Sequence, residues 1–203
     1  MAPIPSLKIR IKKPPMARQF PKLSALLSKF ISEQRLFFVA TAPAEGRVNN
    51  SPKGMDALRV LTPSRIVWLN VTGSGNETAA HVLENQRMTL MWCAFQGPAL
   101  ILRVYGRARA VHPGDSNWEE LADELPEIPG ARQIFDLEID MVQTSCGKAV
   151  PNMKYAGDRE LLNEWAMNKD GEQMADYWAE NNRLSIDGLA TGILQSPPAD
   201  GGS

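Results

Sequence analysis

A lysine set between a proline and a glycine, and a glycine-broken turn further along, are the groups in this chain best placed to do chemistry. Ser51-Pro-Lys-Gly54 sets Lys53 inside an extended polar segment, and Ile66-Val-Trp-Leu-Asn-Val-Thr72 runs through Gly73-Ser-Gly75 into a helix start at Asn76-Glu-Thr78. A strand that delivers the chain into a helix N-terminus gathers free backbone N–H groups, where an anion such as a phosphate can bind. A nearby cation would complete a grip on a phosphorylated cofactor. A plain strand-to-helix turn beside a solvated lysine has the same spacing, so spacing alone leaves both readings open.

Other chemistries have less to stand on. The run Gly73-Ser-Gly-Asn-Glu-Thr78 approaches a dinucleotide fingerprint, but Thr78 occupies the third glycine's place and no βαβ unit follows. It lacks the Gly-Lys-Ser/Thr of a phosphate-binding P-loop. The chain has two histidines, His81 and His112, and no serine–histidine–acid pattern for hydrolysis. His81 lies four residues after Glu77, a spacing some metal helices use, but the expectation is a contact on a helix surface and no metal site. Cys93 and Cys146 have no zinc-like partners in the sequence, which fits a reducing compartment. Cys146, in a Ser-Cys-Gly turn, is either a small turn residue or a group that meets a ligand.

The elements that must position these residues follow from periodicity. Leu23, Leu26, Leu27, Phe30 and Ile31 predict an amphipathic helix over 21–34, entered through Pro21. Strands are predicted at 36–41 and 47–53, in a pair around Thr62-Pro-Ser-Arg65, at 87–95 and 99–111, and at 137–145. Between them, 77–86 reads as a short helix capped by Asn76 or by the box Ser74-x-x-Glu77. Along 99–111, Leu100, Leu102, Val104 and Ala108 share the core parity. Ile101, Arg103, Tyr105, Arg107 and Arg109 share the other, either solvated or lining a subunit seam. Residues 115–124 read as helical, and helices at 158–168 and 172–182 close the domain. About six strands with short helices in irregular alternation predict an α+β chain: a mainly antiparallel six-stranded split β-barrel with peripheral helices.

The 203 residues allow one domain with a substantial core. A formal net charge of −1 gives no overall field for nucleic acid or a membrane surface, and no apolar run approaches the roughly 20 residues of a membrane span. The expected location is cytoplasmic. The first 20 residues carry Lys8, Arg10, Lys12, Lys13 and Arg18 without an acid. Their prolines oppose a targeting helix, so 1–20 is expected to be a solvated arm or one that wraps a partner. The domain then spans 21–190, and the Pro/Gly-rich stretch 191–203 is expected to be a flexible tail.

The order of the polar strand with Ser51-Pro-Lys-Gly54, the core strand, the glycine turn, Asn76-Glu-Thr-Ala-Ala-His81 and the step Glu84-Asn-x-Arg87 resembles the pyridoxamine-5′-phosphate-oxidase-like, FMN-binding split-barrel family. The resemblance runs from about residue 20 to 150 and is strongest over 36–112. It implies a homodimer with FMN in a groove at the interface. Asn50, Ser51 and Gly54 would bring main-chain groups to the flavin ring, and Lys53 would reach the phosphate. Thr72, Gly73, Ser74, Asn76, Glu77 and Thr78 would supply further phosphate contacts. Gln143, Ser145 and Cys146 would approach the ring from the second protomer.

The departures bear on activity. Val48 stands where the oxidases carry an arginine, and Asn76-Glu77-Thr78 replaces their Ser-Arg-Lys. The lost cations leave a weaker phosphate grip, or one helped by Arg47, Arg59 or Arg87, and Glu77 would repel a phosphate unless it points away. Ser185 stands where the substrate-binding histidine of the oxidases would be, which argues against vitamin B6 oxidation. The resemblance therefore implies a flavin-dependent oxidoreductase that takes a hydride from a donor such as NAD(P)H and passes electrons to a small-molecule substrate or oxygen. The alternatives are a non-catalytic flavin carrier or sensor, or a deazaflavin- or haem-binding relative.

Overall fold

Alternating apolar and polar side chains build a single antiparallel sheet, described here in a computed structural model for residues 17–194. The basic arm up to residue 16 and the tail from 195 lie outside the described residues. The elements run β1 (Arg18–Phe20), α1 (Ala25–Ser32), β2 (Phe37–Thr41), β3 (Asn49–Lys53), β4 (Leu58–Thr62), β5 (Arg65–Val71), α2 (Glu77–Asn85), β6 (Arg87–Cys93), β7 (Ile101–Val111), α3 (Trp118–Ala122), β8 (Ala131–Ser145), α4 (Leu161–Met167) and α5 (Gly171–Asn181). The sheet order is β3-β2-β6-β7-β8-β5-β4, with β1 added beside the second half of β8.

The expectation of a six-stranded barrel is corrected: the sheet has eight strands and does not close, because its two edges, β3 and β4, do not pair. Two features of the chain explain the difference. Arg18–Phe20, at the end of the basic arm, pairs antiparallel with Val142–Thr144 and adds a strand. Between β3 and β4 the backbone turns through Met55 and Asp56, both at positive φ (64° and 54°), and α1 lies over the gap. Leu27 and Ile31 of α1, with Leu23 just ahead of the helix, pack with Leu58 and Val60 into the main core. A helix thus covers the opening that strand pairing would have sealed. Ser24, not Pro21, starts this helix, its hydroxyl accepting from Leu27 N.

β5 and the first half of β8 are buried on both faces, which is why Ile66-Val-Trp-Leu reads as an unbroken apolar run. On one face Trp68 stacks on Phe135 at 4.6 Å between ring centroids, within a core that also holds Trp92, Leu90 and Leu102. On the other, Val67, Leu69 and Ile134 pack under Leu121 of α3. β8 is much longer than the predicted 137–145. Phe135, Leu137 and Ile139 alternate with Asp136, Glu138 and Asp140, and Asp136 binds both Arg65 and Arg109 on the outer face. A bulge at Asp140 shifts the β7–β8 register between Tyr105 and Gly106. There Gly106 comes so close to β8 that a Cβ would sit 2.0 Å from Glu138 O.

Residues 191–194 are not a loose tail. Thr191 is buried, its hydroxyl donating to Asn182 O at 2.6 Å, and Ile193 is buried as well.

Candidate functional site

The side chains of β3 alternate, so Asn49, Ser51 and Lys53 face one way and Asn50 and Pro52 the other. The first set lines a groove of about 690 Å³ whose opposite wall is the end of β5, the turn 73–75 and the start of α2. Asn49 bridges the two walls, its Nδ2 donating to Thr78 Oγ1 at 3.2 Å while its Oδ1 accepts from Ser51 Oγ at 2.9 Å. Lys53 lays its stem against the core, with Nζ 5.6 Å from the Trp68 ring centroid and 3.4 Å from the Asn70 side-chain amide. Crowding by protein, and next the charge of Arg132, bring its pKa down to about 8.

Arg132, at the start of β8, is the second cation of the groove, and the sequence reading missed it. It is 3 % exposed, and burial brings its pKa down to about 10. Its Nη1 donates to Asn182 Oδ1 and its Nη2 to Gly75 O. Neither Lys53 nor Arg132 has a carboxylate partner among the described residues. The arginines suggested by sequence do other things. Arg59 pairs with Asp56, Arg87 lies beside Asn85, and Arg47 on the groove rim pairs with Asp187.

The turn itself is rich in uncommitted donors. Among the described residues the N–H groups from Gly73 to Thr78 donate to no acceptor, and the buried Asn76 Nδ2 has no partner. Asn76 holds the N-cap position of α2 but forms no side-chain cap. Glu77 lines the groove with its carboxylate occupied, for both oxygens accept from Ile186 N at 3.1 Å. Ser185 also lines the groove, but its hydroxyl is spent on the N–H groups of Asp187 and Leu189, which makes it a turn former.

Of the residues singled out from sequence, Ser51, Lys53, Gly73, Ser74, Asn76, Glu77 and Thr78 meet in this one groove. Asn50 points its side chain to the other face, and Gly54 borders a separate cavity under α1. Thr72 is buried beside the turn, accepting from Trp178 Nε1 and donating to Gly130 O. Gln143 and Ser145 lie toward the end of β8, bonded to Tyr105 and Arg103, with Cys146 exposed just beyond. None of the three lines this groove. His81 is not on a helix surface: it is 1 % exposed, with Nδ1 3.0 Å from Thr41 Oγ1. Among the described residues no group of three potential ligands could hold a metal, and no helix is long and apolar enough to cross a membrane.

Chemically, the groove offers two cations, a row of N–H donors and short hydroxyl and amide groups, rimmed by the exposed Val48, Leu184 and Ile186. That set suits a ligand with an anionic end and a flat or apolar end. Residues 23–146 match the family model described as pyridoxamine 5′-phosphate oxidase. A pyridoxamine 5′-phosphate oxidase family protein of Aspergillus flavus, ustO, is 32% identical over 188 residues, which cover 84% of this chain and 76% of that one. A solved structure from Lactobacillus delbrueckii, described as a candidate pyridoxamine 5′-phosphate oxidase, is 25% identical with a TM-score of 0.48, covering 61% of this chain and 94% of that one. The FAD binding protein from Mycobacterium smegmatis is 14% identical with a TM-score of 0.43, covering 62% and 96% of the two chains.

Proposed function

Because the chain belongs to the pyridoxamine 5′-phosphate oxidase family, we propose that its groove holds FMN and that the protein is a flavin-dependent oxidoreductase. The observation that carries this reading is the pair Lys53 and Arg132, two crowded cations without carboxylate partners among the described residues, beside the donor-rich start of α2. Crowded, unpaired charge is costly, and a phosphate monoester is a compact dianion that would offset both at once. Ser51, Thr78 and the turn 73–76 would complete the phosphate and ribityl contacts. Main-chain groups at Asn50 and Ser51 would border the ring, whereas Gly54, expected there from sequence, faces the separate cavity under α1. Gln143, Ser145 and Cys146 would reach it from the second protomer of a homodimer, an arrangement that would account for their absence from their own chain's groove.

When bound, FMN supplies hydride and electron transfer, chemistry that no side chain of the groove offers. The residues bind and orient it. Glu77, the one carboxylate that lines the groove among the described residues, is turned to Ile186 N and so presents less repulsion to a phosphate. Ser185 is committed to its turn and cannot act as a substrate-binding imidazole would, which argues against a vitamin B6 phosphate as the substrate. Neither histidine lines the groove, which weighs against haem.

A non-catalytic flavin carrier is the second reading, favoured by the commitment of Glu77 and Ser185 to backbone N–H groups of the 185–189 segment, with Lys53 serving the phosphate alone. Titration with FMN followed by anaerobic mixing with NADPH or NADH separates the two. Bleaching of the flavin bands on a timescale of turnover supports the oxidoreductase, and a bound flavin indifferent to both nicotinamides supports the carrier. A protein that leaves the FMN spectrum unchanged contradicts both.

A further inference from the structure

Two buried side chains hold the shape of the glycine turn. Arg132 rises from the start of β8, and Asn182, 0 % exposed, stands at the C-terminal end of α5. Arg132 Nη1 donates to Asn182 Oδ1 at 2.6 Å, and each then reaches a turn carbonyl. Arg132 Nη2 donates to Gly75 O at 2.8 Å, and Asn182 Nδ2 donates to Gly73 O at 3.0 Å. A glycine-rich turn has little conformational preference of its own. Pinning two of its carbonyls to the Arg132–Asn182 pair leaves its N–H groups, and the unpartnered Asn76 Nδ2, available beside the groove.

Asn182 is also where the C-terminal segment leaves α5. Its main-chain oxygen accepts from Thr191 Oγ1, and Thr191 N bonds Arg183 O, closing 182–191 into a loop. That loop is fastened to both walls of the groove, through Ile186 N on Glu77 of α2 and through Asp187 on Arg47 at the approach to β3. Asn182 therefore touches the cation and the turn through its side-chain amide, and the segment that spans the groove mouth through its main-chain oxygen.

We infer that Arg132 and Asn182 are positioning residues that aim the turn 73–78 at a phosphate monoester, coupling its binding to the docking of segment 182–191. The inference takes its ligand from the flavin reading, but the coupling is tested separately from it. Hydrogen exchange of the full chain is read on peptides spanning 183–191 with FMN, riboflavin and inorganic phosphate as probes. FMN and inorganic phosphate slow exchange there, and riboflavin does not. In Asn182→Ala, FMN affinity falls about tenfold, a usual size for such coupling, riboflavin affinity stays within about twofold, and the phosphate-dependent protection disappears.

An equal loss for both flavins makes Asn182 merely structural and overturns the inference. If the variant does not fold, wild-type exchange decides alone, and a segment indifferent to phosphate overturns it. Protection by phosphate without any binding of FMN upholds the coupling and removes the flavin. Binding of FMN without protection does the reverse.

Discussion

Replacing Lys53 by methionine separates what the lysine does for a ligand from what it does to the fold. Its pKa falls from the ordinary 10.5 to about 8, so the ammonium is disfavoured in the free protein by about 3 kcal/mol at the usual rate per pH unit. The side chain is half-buried and partly screened, which trims that figure to roughly 1–3 kcal/mol. A phosphate beside the ammonium recovers a similar amount, the scale of one charge-assisted hydrogen bond. Lys53→Met is therefore expected to weaken FMN binding by about 1–3 kcal/mol, roughly 5- to 150-fold, and to leave riboflavin binding nearly unchanged.

The two pH dependences have opposite signs. The folded pKa lies below the unfolded one, so the cost of the buried charge is full below about pH 8 and fades as pH rises toward 10.5. Wild-type stability without ligand gains from this group over that window, and Lys53→Met lacks the gain. FMN affinity behaves in the other sense: it falls by up to about tenfold per pH unit above pH 8 as Lys53 loses its proton, and the slope vanishes in the variant. Fluorescence quenching of FMN and riboflavin at pH 7 to 9.5, with thermal melts of the ligand-free protein, reads all of these. An unchanged FMN affinity, or equal losses for both flavins, refutes the assignment of Lys53 to the phosphate.

Three further substitutions test the frame around the groove. Glu77→Gln keeps the acceptor for Ile186 N but removes a negative charge from the groove wall, so FMN should bind about 2- to 5-fold more tightly by titration. Gly106→Ala forces a Cβ toward Glu138 O at 2.0 Å, and chemical denaturation should record a loss of about 1–3 kcal/mol or more. Asp136→Asn breaks two hydrogen-bonded ion pairs. Burial alone would raise this carboxyl's pKa, but Arg65 and then Arg109 hold it below the usual range. Its contribution is therefore present above the unfolded value of about 4 and lost as pH falls through the folded one. The variant should be about 1–3 kcal/mol less stable at pH 7, with the gap closing in acid.

The sequence carried the strands around the groove because their periods are local. The alternation in β3 and β7 and the apolar run of β5 place Ser51, Lys53 and the turn without reference to distant residues. Arg132 escaped because the first half of β8 followed a proline-punctuated break. The alternation of Phe135, Leu137 and Ile139 with Asp136 and Glu138 was the signal for that strand, and with it for a cation at its start. Asn70 left a fainter trace, a polar residue inside a core strand, which marks a buried group in need of partners. Barrel closure was not legible at all. Whether β3 meets β4 depends on the turn through Met55 and Asp56 and on where α1 packs, and neither is written in strand periodicity. His81 shows the same limit: its spacing from Glu77 suggests a surface pair, but α2 turns that face onto the sheet beside Thr41.

The most direct test of the central claim is a visible-absorption titration of the purified protein with FMN, run beside an identical titration with riboflavin. A groove built around two cations predicts saturable binding of one FMN per protomer, a perturbed two-band flavin spectrum and markedly weaker binding of riboflavin. Equal binding of the two, or a spectrum that FMN leaves unchanged, contradicts it.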